Sequence, residues 1–156
     1  MQSPQQRLEA LCARSEHCRS ELEQKLRLWQ VDAHEAHDIL NQLEKDGFID
    51  SARYARAFAN DKHRYNHWGP QRIEAELRRR DIPQTDIDSA LAQLTETEQD
   101  DTLTRLLRRK LSSLEDSDDR ERLPKLLRYA AAKGYSYDSV RRCLQRLLQQ
   151  TPPLEP

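Results

Sequence analysis

Apolar side chains recur every three or four residues along much of this chain, which is the spacing of amphipathic helices. The apolar pattern of residues 20–43 aligns without gaps to residues 71–94 and again to residues 124–147. Several sets of equivalent positions are apolar in all three copies, among them Leu22, Ile73 and Leu126, and Leu26, Leu77 and Ala130. The copies recur about every fifty residues, and a period of that length predicts a tandem array of supersecondary units.

Each copy contains two helical stripes with a turn between them, and a further apolar stripe precedes each copy. The turn in the second copy contains Pro83, which removes an amide donor and restricts the residue before it. Gly69 and Pro70 open a helix, and Asp32, Asp50 and Ser136 are suited to cap helix N-termini.

The fold prediction is therefore all-α, with about nine helices arranged as a tandem array of three three-helix repeats in an elongated or crescent-shaped body. The predicted divisions are residues 1–49, 50–97 and 98–150, followed by a disordered tail at 151–156. The predicted core includes these recurring or stripe positions: Leu26, Tyr54, Phe58, Leu77, Leu91 and Leu144.

Composition supports thin helical layers rather than one thick core. Of the 156 residues, 36% are hydrophobic and 34% are charged, and three are glycine, so long loops and β-turns must be scarce. The net charge of −1 conceals 26 basic and 27 acidic residues, which argues against a simple nucleic-acid coat but allows one basic face.

The cysteines and the short apolar runs predict where in the cell the protein is found. Cys12, Cys18 and Cys143 are odd in number and contain no CxxC pair, as expected of reduced thiols in a cytoplasmic protein. No apolar run is long enough to span a bilayer and no signal peptide opens the sequence, so we expect a cytoplasmic monomer with no membrane partner.

Catalytic and metal-binding patterns are missing from the sequence. There is no GxGxxG, no GxxxxGK[ST] and no Ser-His-Asp arrangement, and HEAH is too short for HExxH. The histidine pairs, His34 with His37 and His63 with His67, are interpreted as solvent-facing helix residues because zinc needs three or four converging ligands. We therefore predict no enzyme activity, no catalytic residue, no metal and no cofactor.

Clusters of basic residues are the candidate binding sites in this sequence. Arg105, Arg108 and Arg109 share a helical face by their i, i+3, i+4 spacing, which suits contact with phosphates or an acidic protein surface. The alternative is ordinary solubility. Trp68, beside the Gly69–Pro70 break, either covers a joint or anchors a partner. The full candidate binding set is Trp68, Arg72, Arg78, Arg79, Arg105, Arg108, Arg109, Lys110, Arg141 and Arg142.

Three segments in this order and spacing resemble the signature segments of the RecX family: Arg14–Leu26, Gly47–Phe58 and Gly69–Leu77. The resemblance covers roughly residues 7–148 and is weaker in the third copy. The family often has Lys-Gly before an apolar residue in the central turn, and here only Lys133-Gly134 matches. Trp29-Gln30 and Arg80-Asp81 replace it, which leaves those two turn geometries open.

The resemblance implies tandem three-helix repeats and regulation of the bacterial recombinase RecA. Family members bind the groove of the RecA–DNA filament and mostly inhibit its ATPase, strand-exchange and coprotease activities, so the implied partners are RecA and single- or double-stranded DNA. The alternatives are a stand-alone DNA-binding helical-repeat protein, which would show steep salt dependence, and a scaffold for an unrelated protein.

Overall fold

The structure is a computed structural model, and it describes residues 1–150. The predicted tail at 151–156 lies outside the described residues. Within residues 1–150 the chain forms nine helices and no strand, which confirms the all-α prediction and a helical repeat array. The helices are α1 (Pro4–Arg14), α2 (Arg19–Leu28), α3 (Ala33–Lys45), α4 (Ser51–Asn66), α5 (Pro70–Arg79), α6 (Gln84–Ala92), α7 (Glu96–Ser113), α8 (Asp119–Lys133) and α9 (Tyr137–Gln150).

The predicted N-caps are confirmed by their hydrogen bonds. Asp50 accepts from the Arg53 amide at 3.0 Å, and Ser136 Oγ accepts from the Ser139 amide at 3.1 Å. Asp32 accepts from two amides at the start of α3. These side chains satisfy donors that have no partner inside their own helices.

The aligned apolar positions lie in the core. Leu22, Ile73 and Leu126 are buried, as are the equivalent Leu26, Leu77 and Ala130. Tyr54 is also buried as predicted, whereas Phe58, Leu91 and Leu144 are half-buried, because a thin layer leaves its outer positions partly open to solvent.

The central turns share one geometry in all three copies although only the third contains glycine. Gln30, Asp81 and Gly134 all have positive φ, at 58°, 58° and 103°. The amide of each following residue reaches back to a carbonyl of the preceding helix, as in a Schellman motif: Val31 to Leu26, Ile82 to Leu77 and Tyr135 to Ala130. The replacements at Gln30 and Asp81 therefore keep the turn, at the cost of a left-handed backbone on a residue with a Cβ.

The chain forms two compact units. Among the described residues, the first comprises residues 1–59 and 76–93, and the second comprises residues 60–75 and 94–150, so α4 and α5 contribute to both. Leu8, Leu22, Leu26 and Leu43 belong to the core of the first unit. The core of the second unit contains the following buried residues: Leu103, Leu107, Leu126, Ala130, Tyr135, Val140 and Cys143. The predicted division at 1–49, 50–97 and 98–150 stays a prediction.

Candidate functional site

Helix α7 carries the main basic face. Thr95 caps the helix by accepting from the Glu98 amide at 3.1 Å, and Leu103 and Leu107 are buried in the second unit's core. With that side inward, Arg105 and Arg109 are exposed, and so is Arg108. The residues that the sequence predicted to share a face are thus all solvent-accessible.

The next residue of that cluster is held by an aromatic ring. Lys110 Nζ lies 5.2 Å from the centroid of the Tyr129 ring, within the range of a cation–π contact. Lys110 is half-buried, so its charge is less available to a partner than the exposed arginines of α7.

Arg142 of α9 is committed to the fold. Its Nε and Nη2 donate to the two carboxylate oxygens of Asp100 at 2.8 and 2.9 Å, and Glu96 lies 3.2 Å from Nη2. Asp100 is buried, and the hydrogen bonds it accepts raise the pKa of Arg142. This pair fastens α9 to α7, whereas the neighbouring Arg141 is exposed.

Trp68 lies close to two cations in the second unit. Lys62 Nζ is 4.9 Å from the centroid of its ring, and Arg72 Cζ is 4.1 Å from it. Arg72 also donates to the Ala132 carbonyl at 3.1 Å. A cation near the face of an aromatic ring is attracted by the ring's electrons, so Trp68 helps to hold Arg72 in place. Trp68 is half-buried, and its role as an anchor for a partner stays a prediction. The sequence did not single out Lys62.

Arg78 and Arg79 belong to the first unit, and each has an intramolecular partner. Arg78 Nε donates to Gln84 Oε1 at 3.0 Å, and Arg79 Nη1 lies 3.3 Å from Glu76 Oε1. Both side chains are exposed, so these contacts are surface pairs of small energetic weight. Their membership of the candidate binding set stays a prediction.

Two histidines, His63 and His67, differ from their sequence interpretation. His63 is buried, with Nδ1 3.0 Å from the Trp68 carbonyl oxygen and Nε2 3.3 Å from Thr102 Oγ1. The prediction of a solvent-facing helix histidine is therefore wrong for His63, and it holds for His34 and His37. It is also wrong for His67, which is half-buried and follows the end of α4 with φ 60°. The position of His63 in the sequence could have indicated its burial. His63 lies in the last helical turn before the Trp68-Gly69-Pro70 break, where main-chain carbonyls have no partner within the helix and need other donors.

His63 also borders a cleft of the second unit with a volume of about 520 Å³. The cleft is lined on one side by the end of α4 and on the other by α7, and its charged lining includes Arg64, Glu98, Asp101 and Arg105. Across residues 1–150 no group of three or more His, Cys, Asp or Glu side chains is placed to hold a metal ion. No described helix is long and apolar enough to cross a membrane.

These features define a helical repeat protein whose notable chemistry is a set of exposed cations. Two family models match it, "RecX, second three-helix domain" over residues 50–91 and "RecX, third three-helix domain" over residues 97–144. The regulatory protein RecX of Ectopseudomonas mendocina is 36% identical over 143 residues, covering 86% of this chain and 88% of that protein. That of Pseudomonas fluorescens Pf-5 is 34% identical over 134 residues, covering 86% and 84%. This chain belongs to the RecX family of regulatory proteins.

A solved structure has the same fold. The crystal structure of RecX from Lactobacillus salivarius superposes with a TM-score of 0.83 at 21% identity, covering 94% of this chain and 95% of that one. The helical array described above is therefore a fold that a crystal structure also contains.

Proposed function

We propose that this protein regulates the recombinase RecA by binding along the groove of the RecA–DNA filament and restraining its ATPase, strand-exchange and coprotease activities. The observation that carries the proposal is membership of the RecX family, since two of its domain models match in order along the chain. Tandem helical units suit such a partner because successive units offer separate surfaces to successive subunits of a filament. In this proposal the protein acts as a cytoplasmic monomer and has no catalytic site of its own.

The proposed contact surface centres on the exposed basic face of α7. Arg105, Arg108 and Arg109 are exposed there, and Arg141 on α9 is exposed in the same unit. Cations at the rim of an interface mainly change association rate and salt dependence. Arg142 is less suited to direct contact because Asp100 already engages its guanidinium.

The test is the single-stranded-DNA-dependent ATPase of RecA, measured with and without this protein over a range of salt concentrations. The parent should slow ATP hydrolysis. The triple variant Arg105→Ala, Arg108→Ala, Arg109→Ala should inhibit several-fold less, with the largest loss at higher ionic strength where the remaining charges are screened. Circular dichroism should show unchanged helicity.

A matched control removes the same charge elsewhere. Arg14, Arg120 and Arg128 are exposed and lie outside the α7 face, so the triple alanine variant at these positions should inhibit like the parent. Equal inhibition by both triple variants would reduce the α7 face to a solubility feature. No effect of the parent on RecA would remove the proposed function itself, and tight DNA binding with steep salt dependence would then favour a stand-alone DNA-binding protein.

A further inference from the structure

His67, which follows the end of α4, and helix α7 line a small notch beside the larger cleft of the second unit. Its lining consists of His67, Thr102, Arg105, Leu106 and Arg109, and its volume is about 40 Å³. That is the scale of a single small polar group and far below that of a nucleobase. None of the five lining residues is acidic, and two carry guanidinium groups.

The backbone holds His67 in place at this notch. His67 has φ 60°, an uncommon conformation for a residue with a Cβ. Its amide donates to the His63 carbonyl at 3.1 Å, and its carbonyl accepts from Tyr135 Oη at 3.0 Å. The main chain at residue 67 is therefore fixed without any ligand, which lowers the ordering cost of binding one.

The surroundings of the His67 ring disfavour a further positive charge. Burial lowers the pKa of His67, and the nearby charges of Arg105, Lys133, Arg109 and His63 lower it further. At neutral pH the ring is consequently neutral, with two exposed guanidinium groups beside it.

The charges farther along the cleft do not reverse this balance. Arg64 adds a positive charge, while Glu98 and Asp101 add negative ones. Asp101 is already paired, since its carboxylate lies 3.2 Å from Arg146 Nη2. The excess positive charge is thus concentrated at the notch.

The geometry points to an oxyanion site in which one phosphodiester group of a nucleic-acid backbone binds between Arg105 and Arg109 while His67 takes up a proton. The guanidinium groups supply charge-assisted donors, and the protonated imidazole supplies another. The phosphodiester offers the negative charge that the neighbourhood of His67 lacks. This inference rests on the proposed function and deepens it, because it names the chemical group that two arginines of the same α7 face would bind, and it is tested on the protein without RecA.

Proton uptake and anion binding are reciprocal. If the anion binds the protonated form tenfold more tightly than the neutral form, saturation with the anion raises the pKa of His67 by about one unit. Sulfate is a suitable probe because its charge is constant over the range in which histidine titrates, whereas inorganic phosphate titrates there itself.

The experiment follows the ring proton of His67 by NMR from about pH 5 to about pH 8, in chloride buffer, with added sulfate and with a short oligothymidylate. The His67→Asn variant assigns the resonance, since Asn tolerates positive φ. Sulfate and the oligonucleotide should each raise the pKa of His67 by about one unit, and sulfate should bind about tenfold more tightly at the acid end of the range.

Two charge-matched variants decide whether the notch is responsible. In the Arg105→Gln, Arg109→Gln variant the anion-free pKa of His67 should rise because repulsion is removed, and the further rise on adding sulfate should vanish. The Arg120→Gln, Arg128→Gln variant should behave like the parent, since neither residue lines the notch.

An absent anion-induced shift in the parent, or an equal shift in both double variants, overturns the site. A shift with sulfate and none with the oligonucleotide overturns the assignment to a nucleic-acid backbone. Because RecA is absent throughout, each of these outcomes is separate from failure of the proposed regulation.

Discussion

The same junction of the repeat is built in two different ways. In the second compact unit, the residues just before and at the start of α5 contact the turn between α8 and α9 through main-chain atoms, and we call this contact the main-chain junction. The Gly69 amide donates to the Lys133 carbonyl at 2.7 Å, and the Gln71 amide donates to the Gly134 carbonyl at 3.0 Å. A Cβ on Gly69 would lie 2.4 Å from the Gly134 oxygen, so this approach requires glycine.

In the first compact unit, the equivalent residues at the start of α2 contact the turn between α5 and α6 through a side chain, and we call this contact the side-chain junction. Cys18 and Asp81 occupy the positions equivalent to the two glycines. Here Ser20 Oγ donates to the Arg80 carbonyl at 3.0 Å. The comparison teaches that the same arrangement of helices can be joined by main-chain or by side-chain hydrogen bonds. Glycine at both equivalent positions allows the close main-chain contact, whereas a Cβ at both positions leaves room only for the side-chain contact.

Ion pairs with acidic residues further stabilise the side-chain junction. Arg80 Nη1 lies 3.0 Å from Glu76 Oε2, its Nε lies 3.7 Å from Glu21, and its guanidinium lies 4.8 Å from the centroid of the Phe58 ring. Tyr54 Oη donates to the same Glu21 at 2.8 Å. Burial, followed by that hydrogen bond, raises the pKa of Tyr54, so the phenol stays protonated and remains a donor.

The largest expected effect is at the turn glycine of the main-chain junction. In Gly134→Ala the new Cβ would lie 2.5 Å from Arg72 Cβ and 2.7 Å from the Arg72 amide nitrogen, at φ 103°. We expect a loss of about 3 kcal/mol in the free energy of unfolding, measured by urea denaturation. The control is Gly47→Ala, where φ is 83° and nothing lies within 4 Å, so only backbone strain of about 1 kcal/mol applies. Equal losses would mean that close approach contributes nothing.

The other glycine of that junction gives the next effect. Gly69→Ala should cost about 2 kcal/mol, because the added methyl group meets main-chain atoms that cannot rotate away. The equivalent change in the side-chain junction, Cys18→Ala, removes a buried sulfur and should cost about 1 kcal/mol. A smaller loss at Gly69 than at Cys18 would contradict the distinction between the two junctions.

Changing a turn residue of the side-chain junction to glycine should stabilise the protein. Asp81→Gly relieves positive φ and removes a negative charge from the C-terminal end of α5, with an expected gain of about 1 kcal/mol. The Asp81→Asn variant removes the charge alone and should recover only part of the gain in melting temperature. A destabilised Asp81→Gly variant would show that the Asp81 side chain has a structural role.

The hydroxyl that spans the side-chain junction contributes less. Ser20→Ala deletes its bond to the Arg80 carbonyl and should lower the free energy of unfolding by about 0.5–1.5 kcal/mol. Gln71→Ala is the matched control, because that junction uses the amide of residue 71 and its side chain is exposed. The Ser20→Ala variant should melt at a lower temperature than the Gln71→Ala variant. Equal melting temperatures would show that the Ser20 hydroxyl does not stabilise the junction.

The smallest effect concerns pH. His67 lies in the main-chain junction, and Glu16 occupies the equivalent position in the other. Because folding lowers the pKa of His67, the unfolded chain takes up its proton at a higher pH, and stability should fall as the pH drops from about 6.5 through the folded-state value. His67→Asn should flatten this slope in urea titrations at several pH values, and an unchanged slope would assign the pH dependence to other groups.

Much of the fold was predictable because helical spacing is a local property. The i, i+4 recurrence of Leu22 with Leu26, and of Ile73 with Leu77, identified buried positions correctly. The caps at Asp50 and Ser136 followed from residue type alone. The exposed basic face of α7 followed from spacing as well, since residues at i, i+3 and i+4 share a side of any helix.

The sequence by itself thus determined the all-helical repeat and the face on which Arg105, Arg108 and Arg109 lie. Only the tertiary structure decided that Arg142 is engaged by Asp100, that His63 is buried against Thr102, and that Gly69 touches Gly134. The physical reason is range. Helix period and capping depend on residues within one turn, whereas these contacts join residues about forty to sixty-five positions apart, and their formation depends on which surfaces the packed helices bring within hydrogen-bonding distance.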